Sequence, residues 1–140
     1  MKKIMNHVDK VLEESLNGFA KAHQDIVYLQ QQPAFVRRLT LSEKPKVALI
    51  SGGGSGHEPL HTGLVGNGML DAACPGQIFT SPTPDQMLAA AESVENGAGV
   101  LFIVKNYAGD VMNFEIAAEM LECQHETVLV KDDVSLPEAH

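Results

Sequence analysis

Between the apolar run Val47-Ala48-Leu49-Ile50 and His57-Glu58-Pro59 the chain carries Ser51-Gly52-Gly53-Gly54-Ser55-Gly56, with four glycines in five positions. Residues without side chains leave the backbone free to take positive φ and let another group approach the main chain closely. A bound ligand accounts for that density better than a tight structural turn, which is the alternative. The run before it is short, apolar and bounded by Pro45 and Gly52, so it reads as a buried strand over 46–50 that delivers the glycines at its carboxyl end. In open α/β sheets ligands bind at that end.

The chain has 140 residues, one domain by the usual relation of length to core, able to bury about two thirds of the surface its unfolded form exposes. Cys74 and Cys123 stand far apart and form no CxxC pair, which fits a reduced intracellular protein. Lys2-Lys3 resembles the start of a signal peptide, but Asp9, Lys10, Glu13 and Glu14 interrupt the apolar stretch that should follow. No apolar run approaches the roughly 20 residues needed to cross a bilayer. The expected location is the cytoplasm. A net charge of −8 repels phosphate backbones and anionic lipid, and 5% aromatic residues with no Trp supply no stacking platform, so neither nucleic acid nor membrane is expected as a partner.

Val8, Leu12, Leu16 and Phe19 recur at helical spacing, which predicts an amphipathic helix over 7–23 with Asn6 as its N-cap. Ile26 to Leu29 and Phe35-Val36 are short possible strands, and 40–45 is a linker. From Pro59 to Gly68 only a short helix fits, and 69–79 reads as strand pieces split by Pro75-Gly76. Thr83-Pro84-Asp85-Gln86 carries a full helix start, with Thr as cap, Pro at N1 and Gln at N3. That helix, with Met87, Leu88, Ala91 and Val94 on its apolar face, ends near Asn96 before Gly97. Gly99 to Val104 reads as a central parallel strand, then a loop over 105–109, a helix capped by Asp110 and carried by Val111, Phe114, Ala118 and Leu121 to about Cys123, and a last strand over 127–130. Strand and helix alternate after residue 46, which predicts a three-layer α/β domain with a largely parallel sheet flanked by helices.

His57-Glu58-Pro59-Leu60-His61 matches the H-E-x-x-H pattern of zinc peptidases, but Pro59 is tolerated only in the first turn of a helix, so the two histidines lack a common helix face. No metal site is expected. The glycines spell neither a dinucleotide fingerprint nor a P-loop. His57, flanked by glycines and an acid, is poorly placed for a core and suits proton transfer. Lys105 by itself reads as a solvated charge and Asp110 as a plain N-cap. If the strands at 46–50 and 99–104 are parallel neighbours, however, their loops bring one His, one Lys and one Asp beside a bare glycine backbone. Such a site suits a small polyol-like ligand with one proton to lose.

The block Ser51 to Pro59, together with Ile78-Phe79-Thr80-Ser81-Pro82-Thr83-Pro84-Asp85 and Lys105-Asn106-Tyr107-Ala108-Gly109-Asp110, closely resembles the dihydroxyacetone kinase family. The blocks occur in family order, and the likeness covers nearly all of the chain; its start and style are most similar to the family's bacterial dihydroxyacetone-binding subunits. The resemblance implies that Gly54, Ser55 and Gly56 line a triose site, with His57 as catalytic acid/base, Lys105 in contact with the substrate and Asp110 as the base that deprotonates its hydroxyl. It implies no cofactor on this chain. The nucleotide and its magnesium are expected on a separate phosphoryl-donor subunit fed by the phosphotransferase system, and the subunit is expected to form a homodimer. The family also holds the triose covalently on a second histidine, in a region beyond residue 140. The resemblance thus implies an amino-terminal domain, apparently truncated, in which 1–45 is helix and linker, 46–131 carries the site and 132–140 is a tail. Rival readings are a dihydroxyacetone-sensing coactivator and an inactive fragment.

Overall fold

The computed structural model describes residues 1–136. Helices α1 (Val11–Ala22), α2 (Pro84–Val94) and α3 (Ala108–Met120) flank strands β1 (Val27–Gln31), β2 (Ala34–Arg38), β3 (Ala48–Ser55), β4 (Ala72–Ile78), β5 (Val100–Lys105) and β6 (His125–Val130). The strands form one sheet in the order β1-β2-β4-β3-β5-β6. β4, β3, β5 and β6 are parallel, and β1 and β2 form an antiparallel hairpin at one edge. Ala48 and Ile50 of β3 pack with Phe35, Phe102 and Phe114 under α2 and α3, whereas Leu49 faces the cluster that Leu16 of α1 makes with Val27, Val36 and Ala73. A strand covered on both faces reads as a continuous apolar run, which is why 47–50 shows no alternation. The result is the three-layer α/β architecture expected from the sequence.

Several boundaries differ from the sequence reading for physical reasons. The amino-terminal helix begins as a 3₁₀ turn over Val8–Lys10 whose cap is His7, while Asn6 donates instead to Glu14. β3 runs on through Gly52, Gly53 and Gly54, so these glycines are strand and not loop. β4 passes straight through Pro75 and Gly76. Proline lacks a ladder donor, but β4 pairs with β2 only at Ala72 and Ala73. Beyond them the Gln86 amide donates to the carbonyls of Ala34 and Pro75 at 2.8 and 2.7 Å, standing in for the missing ladder. The same side chain accepts from the Thr83 N–H at 2.9 Å, so the capping box of α2 also ties the helix to the sheet. Asp110 is not a cap: Tyr107 holds that position, and Asp110 lies in the first turn of α3. Of the tail expected at 132–140, residues 137–140 lie outside those described. No helix among the described residues is long and apolar enough to cross a membrane.

At the amino end of the parallel strands Asp71 is a buried junction. Its carboxylate accepts from the Leu49 N–H at 2.8 Å, Lys46 at 2.6 Å and Arg38 at 3.1 Å, linking β2, β3 and β4. Burial alone would raise its pKa, but these three donors outweigh it and hold the carboxyl below the ordinary range. A folded pKa below the unfolded one contributes stability that is complete above the unfolded value of about 3.9 and is lost as pH falls through the folded value. Asp71→Ala, which leaves Arg38 without its counter-charge, is expected to destabilise by about 3 kcal/mol at pH 7 in denaturant unfolding. The deficit against wild type should shrink at pH 3. A deficit unchanged by acid would show that the charge is not what Asp71 contributes.

Candidate functional site

β3 and β5 are hydrogen-bonded parallel neighbours, Ala48 opposite Val100 through Ser51 opposite Ile103, so the segments leaving them emerge at one sheet edge. The register of β3 against β4 slips between Gly54 and Ser55. A side chain at Gly54 would stand 2.7 Å from the Thr80 backbone nitrogen, so only glycine lets β3 lie against the turn that follows β4. The chain then reverses at Gly56, whose φ of 108° favours glycine. Glu58 accepts the Gly56 N–H at 3.1 Å and closes the turn. His57 projects from this turn with its ring edge-on to Phe79, centroids 5.0 Å apart. Phe79 has a φ of 53°, a left-handed conformation that a bulky side chain adopts only when its surroundings impose it. Here its N–H donates to the Ser55 carbonyl at 2.7 Å, and its ring covers Gly56.

Gly54, His57, Phe79, Ser81, Lys105, Tyr107, Asp110 and Asp133 line one open cleft of about 490 Å³. Lys105 ends β5 and lies 5.5 Å from the centre of the Tyr107 ring. The Tyr107 hydroxyl donates to Asp133. Asp110 is 4% exposed. Burial raises its pKa, against the opposing effects of a hydrogen bond from Ser81 and the charges of Lys105 and His57. One of its oxygens, Oδ1, is buried without a hydrogen-bond partner among the described residues.

Of the residues singled out in the sequence, the fold therefore brings Gly54, His57, Lys105 and Asp110 to one cleft. Ser55 and Gly56 are not among its lining. The Ser55 hydroxyl donates to the Gly76 carbonyl at 2.7 Å and faces a small cavity beside α1, and Gly56 lies beneath the Phe79 ring. Sequence reasoning left out Ser81, Phe79, Tyr107 and His61. Ser81 stands in the block before the α2 cap, where it reads as loop, and nothing local marks the bond it makes to Asp110. His61 entered only as half of the H-E-x-x-H pair. No helix spans 57–61: His57 is exposed in a turn, whereas His61 is 8% exposed beneath Gly53. Burial, then the charges of Lys105 and His57, push the His61 pKa down to about 4, so the ring is neutral at physiological pH. Among the described residues no group of three or more His, Cys, Asp or Glu side chains is placed to hold a metal ion.

The family model described as the Dak1 domain matches residues 17–140. Over 142 residues the chain is 51% identical to the Escherichia coli "PEP-dependent dihydroxyacetone kinase, dihydroxyacetone-binding subunit DhaK", covering 99% of this chain and 40% of that protein. The crystal structure of the dihydroxyacetone kinase of C. freundii superposes with a TM-score of 0.88 at 40% identity, covering 97% of this chain and 26% of that one. A structure described as "Dihydroxyacetone kinase operon co-activator Dha-DhaQ" superposes with a TM-score of 0.81 at 37% identity, over 88% of this chain and 38% of that one. The chain spans about two fifths of the length of the curated relatives it matches.

The tight packing at Gly54 yields a direct test. In Gly54→Ala the new methyl meets backbone atoms of Phe79 and Thr80, which cannot swing aside as a flexible side chain would. Overpacking of this kind costs about 1–3 kcal/mol, so the thermal midpoint should fall and proteolysis should open the 79–82 segment first. A variant as stable as wild type, with that segment still protected, would show that the close approach is dispensable.

Proposed function

The chain belongs to the Dak1 domain family, and from that premise we propose that its cleft binds dihydroxyacetone and serves its phosphorylation to dihydroxyacetone phosphate. The observation that carries this reading is the meeting of His57, Lys105 and Asp110 with the Gly54 backbone at the carboxyl ends of β3 and β5. Asp110 takes the proton of a triose hydroxyl as that oxygen bonds to phosphorus and the donor's P–O bond breaks. His57 acts as acid/base on the substrate oxygens exposed in the cleft, Lys105 holds the substrate, and the main chain of Gly54 forms part of the wall behind it, with Ser55 and Gly56 holding that wall in place from outside the lining. Burial supports the base assignment: a carboxylate lifted above its ordinary pKa is a stronger proton acceptor.

On this reading the phosphoryl donor and its magnesium sit on a separate nucleotide-carrying subunit of the phosphotransferase system, as the words "PEP-dependent" in the name of the E. coli relative support. This chain then acts as the amino-terminal domain of the substrate-binding subunit, in the cytoplasm, within glycerol and dihydroxyacetone metabolism and as a homodimer. A second reading, a coactivator that binds the triose without turning it over, is favoured by the likeness to the operon co-activator structure.

Phosphoryl-transfer kinetics with the donor subunit separate the two. Asp110→Asn is expected to lower kcat by about 10²–10⁴-fold while changing triose affinity far less, because general-base catalysis acts in the transition state. His57→Asn should lower kcat as well. The acid limb of the wild-type kcat/KM profile should lie above the ordinary carboxylate value of about 4, since Asp110 must be ionised to accept the proton and its pKa is raised. In the subunit at the full length of its relatives, undiminished turnover in Asp110→Asn would sink the base assignment, and triose binding without turnover in the unsubstituted protein would favour the coactivator.

A further inference from the structure

Two buried polar atoms near the cleft lack hydrogen-bond partners among the described residues, Asp110 Oδ1 and His61 Nδ1. Both side chains approach the place that a Gly53 side chain would occupy. A Cβ built on Gly53 would lie 2.7 Å from His61 Cε1, 3.2 Å from His61 Nδ1 and 3.9 Å from Asp110 Oδ2, so the absent side chain leaves the imidazole and the carboxylate facing one point. Both residues are more than nine-tenths buried, His61 at 8% and Asp110 at 4% exposure. An unpaired buried donor or acceptor is costly, and at Gly53 the unpaired Nδ1 of His61 and the Asp110 carboxylate, through its Oδ2, approach one bare backbone position, with the unpaired Oδ1 on that same carboxylate. His61 belongs to neither core cluster, and its ring shares a mostly apolar pocket with Leu49, Leu64, Met69, Leu70 and Ile103, in which Ser51 and Lys105 are the other polar side chains.

We propose that His61 is a positioning residue for Asp110, its Nδ1–H linked to the Asp110 carboxylate past Gly53 through one bridging water molecule. The link fixes the orientation of the carboxylate and favours its ionised form. The ring that does this is neutral, so it supplies one donor and no charge. Asp110 also faces the Ser81 hydroxyl, Lys105 and His57, with Tyr107 and its partner Asp133 at the rim. His61 faces Lys105 and His57. Those charges are present with or without His61, so a change on replacing His61 alone reports the link. The proposal rests on the reading of Asp110 as the base.

The test follows the Asp110 carboxyl carbon by NMR as a function of pH in wild type, His61→Asn, His61→Leu and Gly53→Ala. The Asn amide nitrogen falls near the place of Nδ1 and retains a donor, Leu removes it, and the Gly53→Ala methyl pushes the imidazole away while keeping every polar group. Asp110 is expected to titrate about one pH unit higher in His61→Leu and Gly53→Ala and near its wild-type midpoint in His61→Asn. In the phosphoryl-transfer assay His61→Leu should lower kcat with KM little changed and move the acid limb by the same amount, with rescue by Asn. An Asp110 midpoint equal in wild type and both disrupting variants, or displaced equally by Asn and Leu, would overturn the proposal. If Leu fails to fold, the Gly53→Ala and Asn midpoints decide by the same criteria. Because the titration needs no turnover, a wild type without phosphoryl transfer would remove the functional reading and still leave the link to be judged by the midpoints.

Discussion

The structure depends on how closely the backbone of β3 is allowed to approach its surroundings. A Cβ at Gly52 would stand 2.6 Å from the Cys74 carbonyl oxygen, and one at Gly76 would overlap the Thr80 carbonyl. The neighbours at Gly52, Gly54 and Gly76 are main-chain atoms, which a rotamer change cannot move. β3, β4 and the turn after β4 are therefore locked backbone to backbone at the end of the sheet where β5 and α3 also begin the site. From that lock follow the left-handed Phe79, whose N–H is held by Ser55, the ring laid over Gly56, and the placement of Ser81 against Asp110. Rigid strand ends hold side chains more precisely than loops do. Here the glycines make the strand end rather than loosen it.

Two buried aspartates show what the opposite ends of the same strands are for. Asp71 and Asp110 are each 4% exposed. Asp71 accepts from a backbone N–H, a lysine and an arginine, and its pKa is driven down. Asp110 has one donor in Ser81 and one oxygen with no partner among the described residues, and its pKa is driven up. Burial penalises the charged form in both, and the three donors at Asp71 outweigh it where the partners of Asp110 do not. A carboxylate saturated by hydrogen bonds is a strut. One left short of donors keeps its affinity for a proton, and it stands where β3 and β5 open into the cleft.

The sheet, its parallel centre and the convergence of His57, Lys105 and Asp110 were legible because they rest on local signals: apolar runs covered on both faces, a capping sequence at Thr83, and the rule that parallel strand ends share an edge. What escaped depended on groups distant in sequence. Pro75 breaks a strand on local grounds and is accommodated only because Gln86, on the following helix, takes the carbonyls of Ala34 and Pro75. Asp110 reads as a cap, yet α3 starts earlier, with Tyr107 as its N-cap, and the aspartate falls within the first turn against Ser81. Glycine density was read as freedom to turn, whereas only Gly56 of the five-position run takes a positive φ, and the others are required by contact. His61 was masked by the H-E-x-x-H pattern. A motif that invites one chemistry drew its second histidine into a comparison with the first, although the two lie in unlike surroundings.

Those surroundings also bear on whether such a cleft is better suited to holding a triose or to changing it. A site that only binds gains from satisfied polar groups, because every unpaired buried atom subtracts from the stability of the free protein and ordering it adds nothing to affinity until the ligand arrives. Asp110, buried and short of donors beside the neutral His61, is a costly way to accept one hydrogen bond from a hydroxyl, and an asparagine or serine would do that work without a raised pKa. The arrangement makes physical sense where the hydroxyl must lose its proton, since the feature that disfavours the free carboxylate increases its affinity for that proton as the oxygen attacks. A coactivator using the same cleft would therefore be expected to retain the glycine lock and Lys105 but to gain nothing from the electrostatic setting of Asp110, and it is that setting, more than the outline of the cleft, on which the proposed role of Asp110 as a base rests.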